Sequence, residues 1–310
     1  MKQAVADVLN RLPIFVIIVC SGIMIYVATS VAKIAFVQLD PIYAVWYRVG
    51  FMTLLLLAWR RPWTRDKREN LPQTARQWLI FSIAGLSITA MNTAFYIAIS
   101  NMNIGIAVAI EFVGPLTVAV LTGRSWRERV GIAIAASGVV LLAGISLQGP
   151  QGGSFLIGLI AILCGGSMWG VYIVTGRRIA NRGNPVDTLS VAMTIGWLVQ
   201  SVFLAAPAIS HVIHPKDTAT WALAPGGSYA VLGLMFVVAL FASFIPALID
   251  QVIMRRASAA TFSVMQSVYP ATAVAVGLAF GEVPTPVELL GVSLVIIAVI
   301  VTFSGDKHPA

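Results

Sequence analysis

A chain of 310 residues that is 58% hydrophobic and only 10% charged lies far from soluble composition, where about 25% of residues carry charge. Surface-to-volume scaling does not let a soluble fold of this size bury so much apolar surface. A cytosolic enzyme, a nucleic-acid binder and a disordered protein are therefore excluded, and an all-α integral membrane protein is implied. The formal net charge of +8 reads as membrane topology rather than as attraction for an anionic partner.

A bilayer core about 30 Å thick takes roughly 20 mostly apolar residues per helix, and ten runs of that kind follow in chain order. The first, 13–36, is too long for a signal-peptide core and has no small-residue cleavage site; Lys33 lies near its end. The second, 41–58, opens at Asp40-Pro41 and carries Arg48 seven residues in. Asn92 and Tyr96 sit in the third, 77–99, and Glu111 and Pro115 in the fourth, 104–122. The fifth, 130–147, is separated by a Gly- and Pro-rich link from the sixth, 155–175, which holds Trp169 and Tyr172. The long connection 207–228 joins the seventh, 188–206, to the eighth, 229–249, which contains Pro246 and ends at Asp250. Gln266 and Pro270 belong to the ninth, 260–280, and the tenth is 287–304. Cys20 and Cys164 lie inside apolar runs and are expected to be small buried hydrophobes rather than a disulfide.

Orientation follows from Lys and Arg. With a cytoplasmic N-terminus, seventeen of them fall on the inner side and Lys216 alone in an outer loop, leaving Lys33 and Arg48 in or beside helices. That asymmetry makes both termini cytoplasmic. The halves 1–150 and 151–310 also echo each other. Glu111-Phe112-Val113-Gly114-Pro115 parallels Gln266-Ser267-Val268-Tyr269-Pro270, and Glu128-Arg129-Val130-Gly131 parallels Glu288-Leu289-Leu290-Gly291. Five helices per half is an odd number, so the second half enters the membrane upside down. Ten transmembrane helices as two inverted five-helix repeats are expected, with a substrate site near the midplane.

Ionisable residues inside a membrane mark functional sites by default. Arg48, Glu111 and Asn92 sit at similar depth, about 10 Å from the outer face at 1.5 Å per residue, with Lys33 shallower. Two readings stay open for this cluster. Glu111 with Arg48 or Lys33 holds the ammonium and carboxylate of a zwitterion, or Arg48 and Glu111 form a structural ion pair. Pro115 and Pro270 remove helical partners from the carbonyls of Glu111 and Gln266, which suits hinges lining a cavity. Pro246 reads as a proline that a membrane helix simply tolerates. Gln266 and Trp169 fall in the inner half, opposite in depth to Glu111; Trp169 with Tyr96 and Tyr172 either lines an amphipathic pocket or packs helices, and Asp250 is either a gate or an ordinary interfacial acid beside Arg255 and Arg256. Gly85, Gly105, Gly165 and Gly166 read as close-packing devices.

Several stretches carry a resemblance. Gly105 to Leu116, with Glu111-Phe112-Val113-Gly114-Pro115 at its heart, resembles the fourth helix of the EamA family of drug/metabolite transporters, nearest its bacterial threonine/homoserine exporter branch. Met91-Asn92-Thr93-Ala94-Phe95-Tyr96, Trp169-Gly170-Val171-Tyr172-Ile173 and Pro246-Ala247-Leu248-Ile249-Asp250 are similar to that branch as well. Tyr269-Pro270 departs from it, since an acid is expected before the proline. The resemblance implies two EamA-like repeats, 1–150 and 151–310, in a multi-pass protein of the bacterial inner membrane. It implies an amino-acid exporter working by alternating access, with related aromatic amino-acid exporters in the same family. Protons are the candidate coupling ion.

The rival classes are an exporter of another metabolite or drug cation, a membrane scaffold and an intramembrane enzyme. His211 and His214 have no third ligand nearby, so no metal is expected. No nucleophile elbow, Walker loop or dinucleotide fingerprint is present, and neither an enzyme nor a cofactor is expected.

Overall fold

The computed structural model describes residues 14–36, 39–64, 71–122, 126–146, 152–213, 228–256 and 268–303. All regular structure among them is helical. The helices are α1 (Ile14–Ala35), α2 (Pro41–Arg60), α3 (Ala75–Ile99), α4 (Ile104–Glu111), α5 (Val113–Thr122) and α6 (Trp126–Ser146). They continue with α7 (Gly152–Ala180), α8 (Pro185–Ile213), α9 (Ser228–Ala239), α10 (Ile245–Arg256), α11 (Tyr269–Ala279) and α12 (Pro286–Phe303). A π-helical turn, Leu240–Phe244, joins α9 to α10.

Helix ends follow the turn chemistry of the sequence. Asp40 caps α2 by accepting the Ile42 N–H at 3.0 Å, and Pro41 occupies the first turn, where its missing N–H is not needed. Asn184 and Pro185 open α8 in the same way, the Asn184 side chain accepting the Val186 N–H at 3.1 Å. Thr74 and Gln77 close a capping box on α3. Thr285 and Glu288 exchange the equivalent bonds before α12, at 2.7 and 3.3 Å.

Among the described residues, six stretches are long and apolar enough to cross a membrane: Val16–Ala35, Pro41–Arg60, Ala75–Ile99, Ser154–Ala180, Pro185–Ile213 and Ala230–Gln251. Large side chains such as Ile160 on α7 and Phe203 on α8 point out of the bundle, an ordinary surface in lipid and a costly one in water. Cys20 and Cys164 also face outward as free thiols. That corrects their expected burial: a lipid-facing position is as apolar as a core one, so composition does not separate the two.

The centre is α4. Its sequence Ile-Gly-Ile-Ala-Val-Ala-Ile-Glu is apolar on every side, and all eight residues are buried, as an all-round apolar helix requires. Around it α3 packs against α7 and α8, α1 and α4 against α11, and α6 pairs with α12. Small residues allow these backbones to meet. A Cβ at Gly85 would collide with the Ala192 carbonyl of α8, and one at Gly114 with the Gly166 carbonyl of α7.

Two breaks shape the interior. The fourth apolar run is two helices, interrupted at Phe112, because Pro115 offers no N–H to the Glu111 carbonyl. Pro246 also matters more than the sequence suggested. The π turn before it closes with the Ile245 N–H bonded to the Leu240 carbonyl, the wider ring that absorbs a proline in mid-span. Pro270 stands in the first turn of α11, and Gln266 lies outside the described residues.

Candidate functional site

The π turn, the broken fourth span, the middles of α1, α2, α3 and α7, and parts of α10 and α11 line a half-open cavity of about 150 Å³. Arg48, Asn92, Glu111, Trp169, Tyr172 and Asp250, all singled out in the sequence, line it together. Tyr26, Phe95, Pro246 and Tyr269 complete an aromatic and apolar wall.

The Arg48 side chain is held from behind. The Arg48 guanidinium lies 4.4 Å from the centre of the Tyr96 ring, a cation–π contact that stabilises a cation away from water. Tyr96 is thus a buried support beneath Arg48 rather than a wall residue. The guanidinium donates through Nη2 to Asn92 Oδ1. The Asn92 amide is oriented by its own donation to the Ile88 carbonyl at 2.7 Å, one turn back on α3. Arg48 is 3% exposed and its Nε has no hydrogen-bond partner. Glu111, 6% exposed, has one carboxyl oxygen, Oε1, in the same condition. Among the described residues no ion pair joins the two. A buried donor and a buried acceptor, each with unused capacity, therefore belong to two residues that line the same cavity. Other side chains, such as Ser21, Thr53 and Trp197, also bury polar atoms without a partner, but Arg48 and Glu111 are charged, and burial of a charged group is the most costly.

Glu111 owes its position to glycine. Gly165 and Gly166 on α7 bring that backbone against the break, and a Cβ at Gly166 would stand 2.7 Å from the freed Glu111 carbonyl oxygen. Phe112, the residue at the break, meets Trp169 edge-on at 5.3 Å between ring centres. Tyr172 accepts a hydrogen bond from Gln251 Nε2 at 3.2 Å, tying α7 to α10.

Lys33 does not join the cluster. Its Nζ pairs with Glu282, in the turn between α11 and α12. Depth along one helix sets neither the azimuth of a side chain nor its partner, and that is why the expectation failed. Asp250 lines the cavity, whereas the side chains of Arg255 and Arg256 lie outside the described residues.

Tyr26, Tyr269 and Ser243 line the cavity and were not singled out as site residues, nor was Glu282, the partner of Lys33. Tyr26 and Tyr269 meet edge-on at 6.0 Å and 86°; Tyr26, a polar-tipped aromatic in the middle of an apolar run, was a readable signal. Ser243 reaches the wall only because of the π turn, which a 3.6-residue period does not anticipate. Glu282 sits in an ordinary-looking turn and gave no signal.

Comparison with known proteins adds a second line. The profile of the EamA-like transporter family matches twice, over residues 12–148 and 156–304. The chain is similar to the threonine/homoserine exporter RhtA of Escherichia coli strain K12, with 30% identity over 290 residues, 93% of this chain and 90% of that protein. The same exporter from Salmonella typhimurium strain LT2 shows equal identity and coverage. An uncharacterized transporter of Archaeoglobus fulgidus is 24% identical over 195 residues, 60% of this chain and 66% of that protein. One crystal structure superposes with a TM-score of 0.59 at 15% identity, over 95% of this chain and 99% of that one, a likeness of fold.

Proposed function

The chain belongs to the EamA-like transporter family, and from that premise we propose that it exports small neutral amino acids across the bacterial inner membrane by alternating access. It is a multi-pass membrane transporter rather than an enzyme. The observation that carries the substrate reading is that Arg48 and Glu111 line one cavity without pairing, each with a buried polar atom that no side chain satisfies. A zwitterionic amino acid presents a carboxylate and an ammonium close together, and it would satisfy both. Hydrogen bonds to charged groups are worth about 1.5–3 kcal/mol each, enough to select such a solute over a neutral one.

Cavity size supports a small cargo. About 150 Å³ is half the lower bound of roughly 300 Å³ for sites that take drug-sized ligands. Similarity to threonine/homoserine exporters points the same way, and the threonine/homoserine class is the substrate we favour over aromatic amino acids or drug cations.

Two family matches of similar length support ten spans in two inverted halves, with five helices per half and both termini in the cytoplasm. In that orientation Arg48 lies about 10 Å from the outer end of α2, while Tyr172 and Asp250 lie about 30 Å from the outer ends of α7 and α9. The cavity then runs from the outer half of the membrane toward the cytoplasm, the side from which an exporter loads. Glu111 is the candidate proton carrier.

Reconstitution tests the reading. Proteoliposomes should accumulate labelled threonine or homoserine, with and without a pH gradient, and Glu111→Gln should abolish the flux while inserting normally. Absence of flux for every amino acid from folded protein would sink the proposal; normal flux in Glu111→Gln would remove Glu111 from it.

A further inference from the structure

One carboxylate ties three elements together at the end of the bundle away from the cavity mouth. Glu282 Oε1 accepts from Lys33 at the end of α1, and Oε2 accepts the Ile104 N–H, the first residue of α4, at 2.7 Å. The second bond is a helix cap delivered from 178 positions away. It does the work that Asn103, standing at the capping position, leaves undone, since the Asn103 side chain makes no capping bond. A negative group at that terminus also suits the helix dipole.

The position of Glu282 is built in. Its N–H bonds to the Gly277 carbonyl at 2.9 Å and the Gly281 N–H to the Leu278 carbonyl at 3.1 Å. Gly281 has φ +84. This is a Schellman closure of α11, which needs a left-handed residue that glycine supplies. Gly277 leaves room for the carboxylate, since a Cβ there would stand 3.1 Å from Oε2.

Between this contact and the cavity the bundle is closed. Ala35, Tyr96, Ile99 and Ile104 are all 1% exposed or less. The Phe36 ring lies 5.4 Å from the Tyr96 ring, on which the Arg48 guanidinium rests. Lys33 and Ile104 belong to the first family match and Glu282 to the second. The contact therefore spans the two halves that alternating access moves apart. At 27% and 15% side-chain exposure the pair is only partly buried by the protein, so it can open at modest cost.

We infer that the Lys33–Glu282 pair, with the Glu282 cap on α4, is the extracytoplasmic latch of the transport cycle. Opening toward the outside breaks it, and breaking it frees the start of the helix whose last residue is Glu111. Release of the latch and rearrangement of the binding carboxylate are thereby one motion of α4. The inference rests on the alternating-access reading above, and its test is independent of substrate flux.

The test is thiol accessibility. A reporter, Ala35→Cys, is placed in a chain with Cys20→Ser and Cys164→Ser and labelled with a membrane-impermeant maleimide from each side. Outside labelling should be slow in this parent and about five-fold faster in Lys33→Gln, the factor for loss of a partly exposed ion pair. Glu282→Ala, which loses pair and cap together, should label faster still. Lys33→Arg should stay slow, and the swap Lys33→Glu with Glu282→Lys should label more slowly than either single charge reversal. Melting temperature in detergent checks that each variant is folded, and the swap restores a signal that mere damage would not. Parental labelling in Lys33→Gln and Glu282→Ala, or a swap as fast as its single reversals, would overturn the latch. Amino-acid flux with an unresponsive reporter removes the latch alone; a responsive reporter without flux removes the substrate reading alone.

Discussion

Replacing Gly166 by alanine is expected to loosen the bundle and disturb the site in a single step. The added Cβ would stand 2.7 Å from the Glu111 carbonyl oxygen and 3.4 Å from both the Glu111 carbonyl carbon and Cα. All three are backbone atoms at the break of the fourth span, so no side-chain rotation relieves the contact and α4 must retreat from α7. Alanine gains up to about 1 kcal/mol over glycine inside a helix. Overpacking a filled interface costs about 1–3 kcal/mol, and a clash with backbone belongs at the upper end. A net loss of about 1–2 kcal/mol remains, equivalent to a melting temperature lower by roughly 2–6 °C. Gly233→Ala is the control, because nothing lies within 4 Å of a Cβ there. It should leave the melting temperature unchanged or slightly raised. Tryptophan fluorescence of the two variants in detergent during heating decides the matter. If Gly166→Ala melts at or above Gly233→Ala, the close-approach argument for the site is wrong.

Other expectations concern charge and shape. Arg48→Lys keeps the positive charge but loses the planar fork that serves Asn92 and the cavity at once; kcat/KM for threonine export should fall about ten-fold or more at unchanged membrane levels. Arg60 grips Asp187 through two bonds of 2.6 and 3.0 Å, and the Asp187 side chain is 1% exposed. Arg60→Ala should thus cost about 3 kcal/mol, the low end for breaking a buried pair because Arg60 keeps some contact with water. Thermal melting should show Arg60→Ala with Asp187→Leu recovering part of that loss. Trp169→Ala widens the cavity wall opposite Phe112, so phenylalanine should compete with threonine more strongly than in the parent, at a stability cost of about 3–5 kcal/mol.

How far the site could be read in advance varies residue by residue. Arg48 and Glu111 stood out because a charge in an apolar run is expensive wherever it points, and depth alone brought them and Asn92 to one level. Lys33 stood out for the same reason and was assigned to the wrong cluster. Its partner, Glu282, is 249 positions away, and no local pattern announces a contact of that range. For Tyr96 the sequence left a wall and a packing role open, because a wall and a support beneath Arg48 differ only by the rotation of α3. Pro246 passed as unremarkable. Its effect depends on a π turn that only the packing of α9 and α10 around the cavity makes worthwhile.

The division has a physical origin. Hydropathy, proline positions and glycine spacing are local quantities. They determined from the sequence alone that the chain is helical and membrane-embedded, where the fourth span weakens, and that a few charges within it needed an explanation. Partner choice is a property of three dimensions. Only the tertiary structure decided that Arg48 and Glu111 share a cavity without pairing, that Gly166 lets the broken helix settle against α7, and that Lys33 belongs with Glu282. A helix tells a side chain how deep it lies; its neighbours across the bundle tell it what it meets.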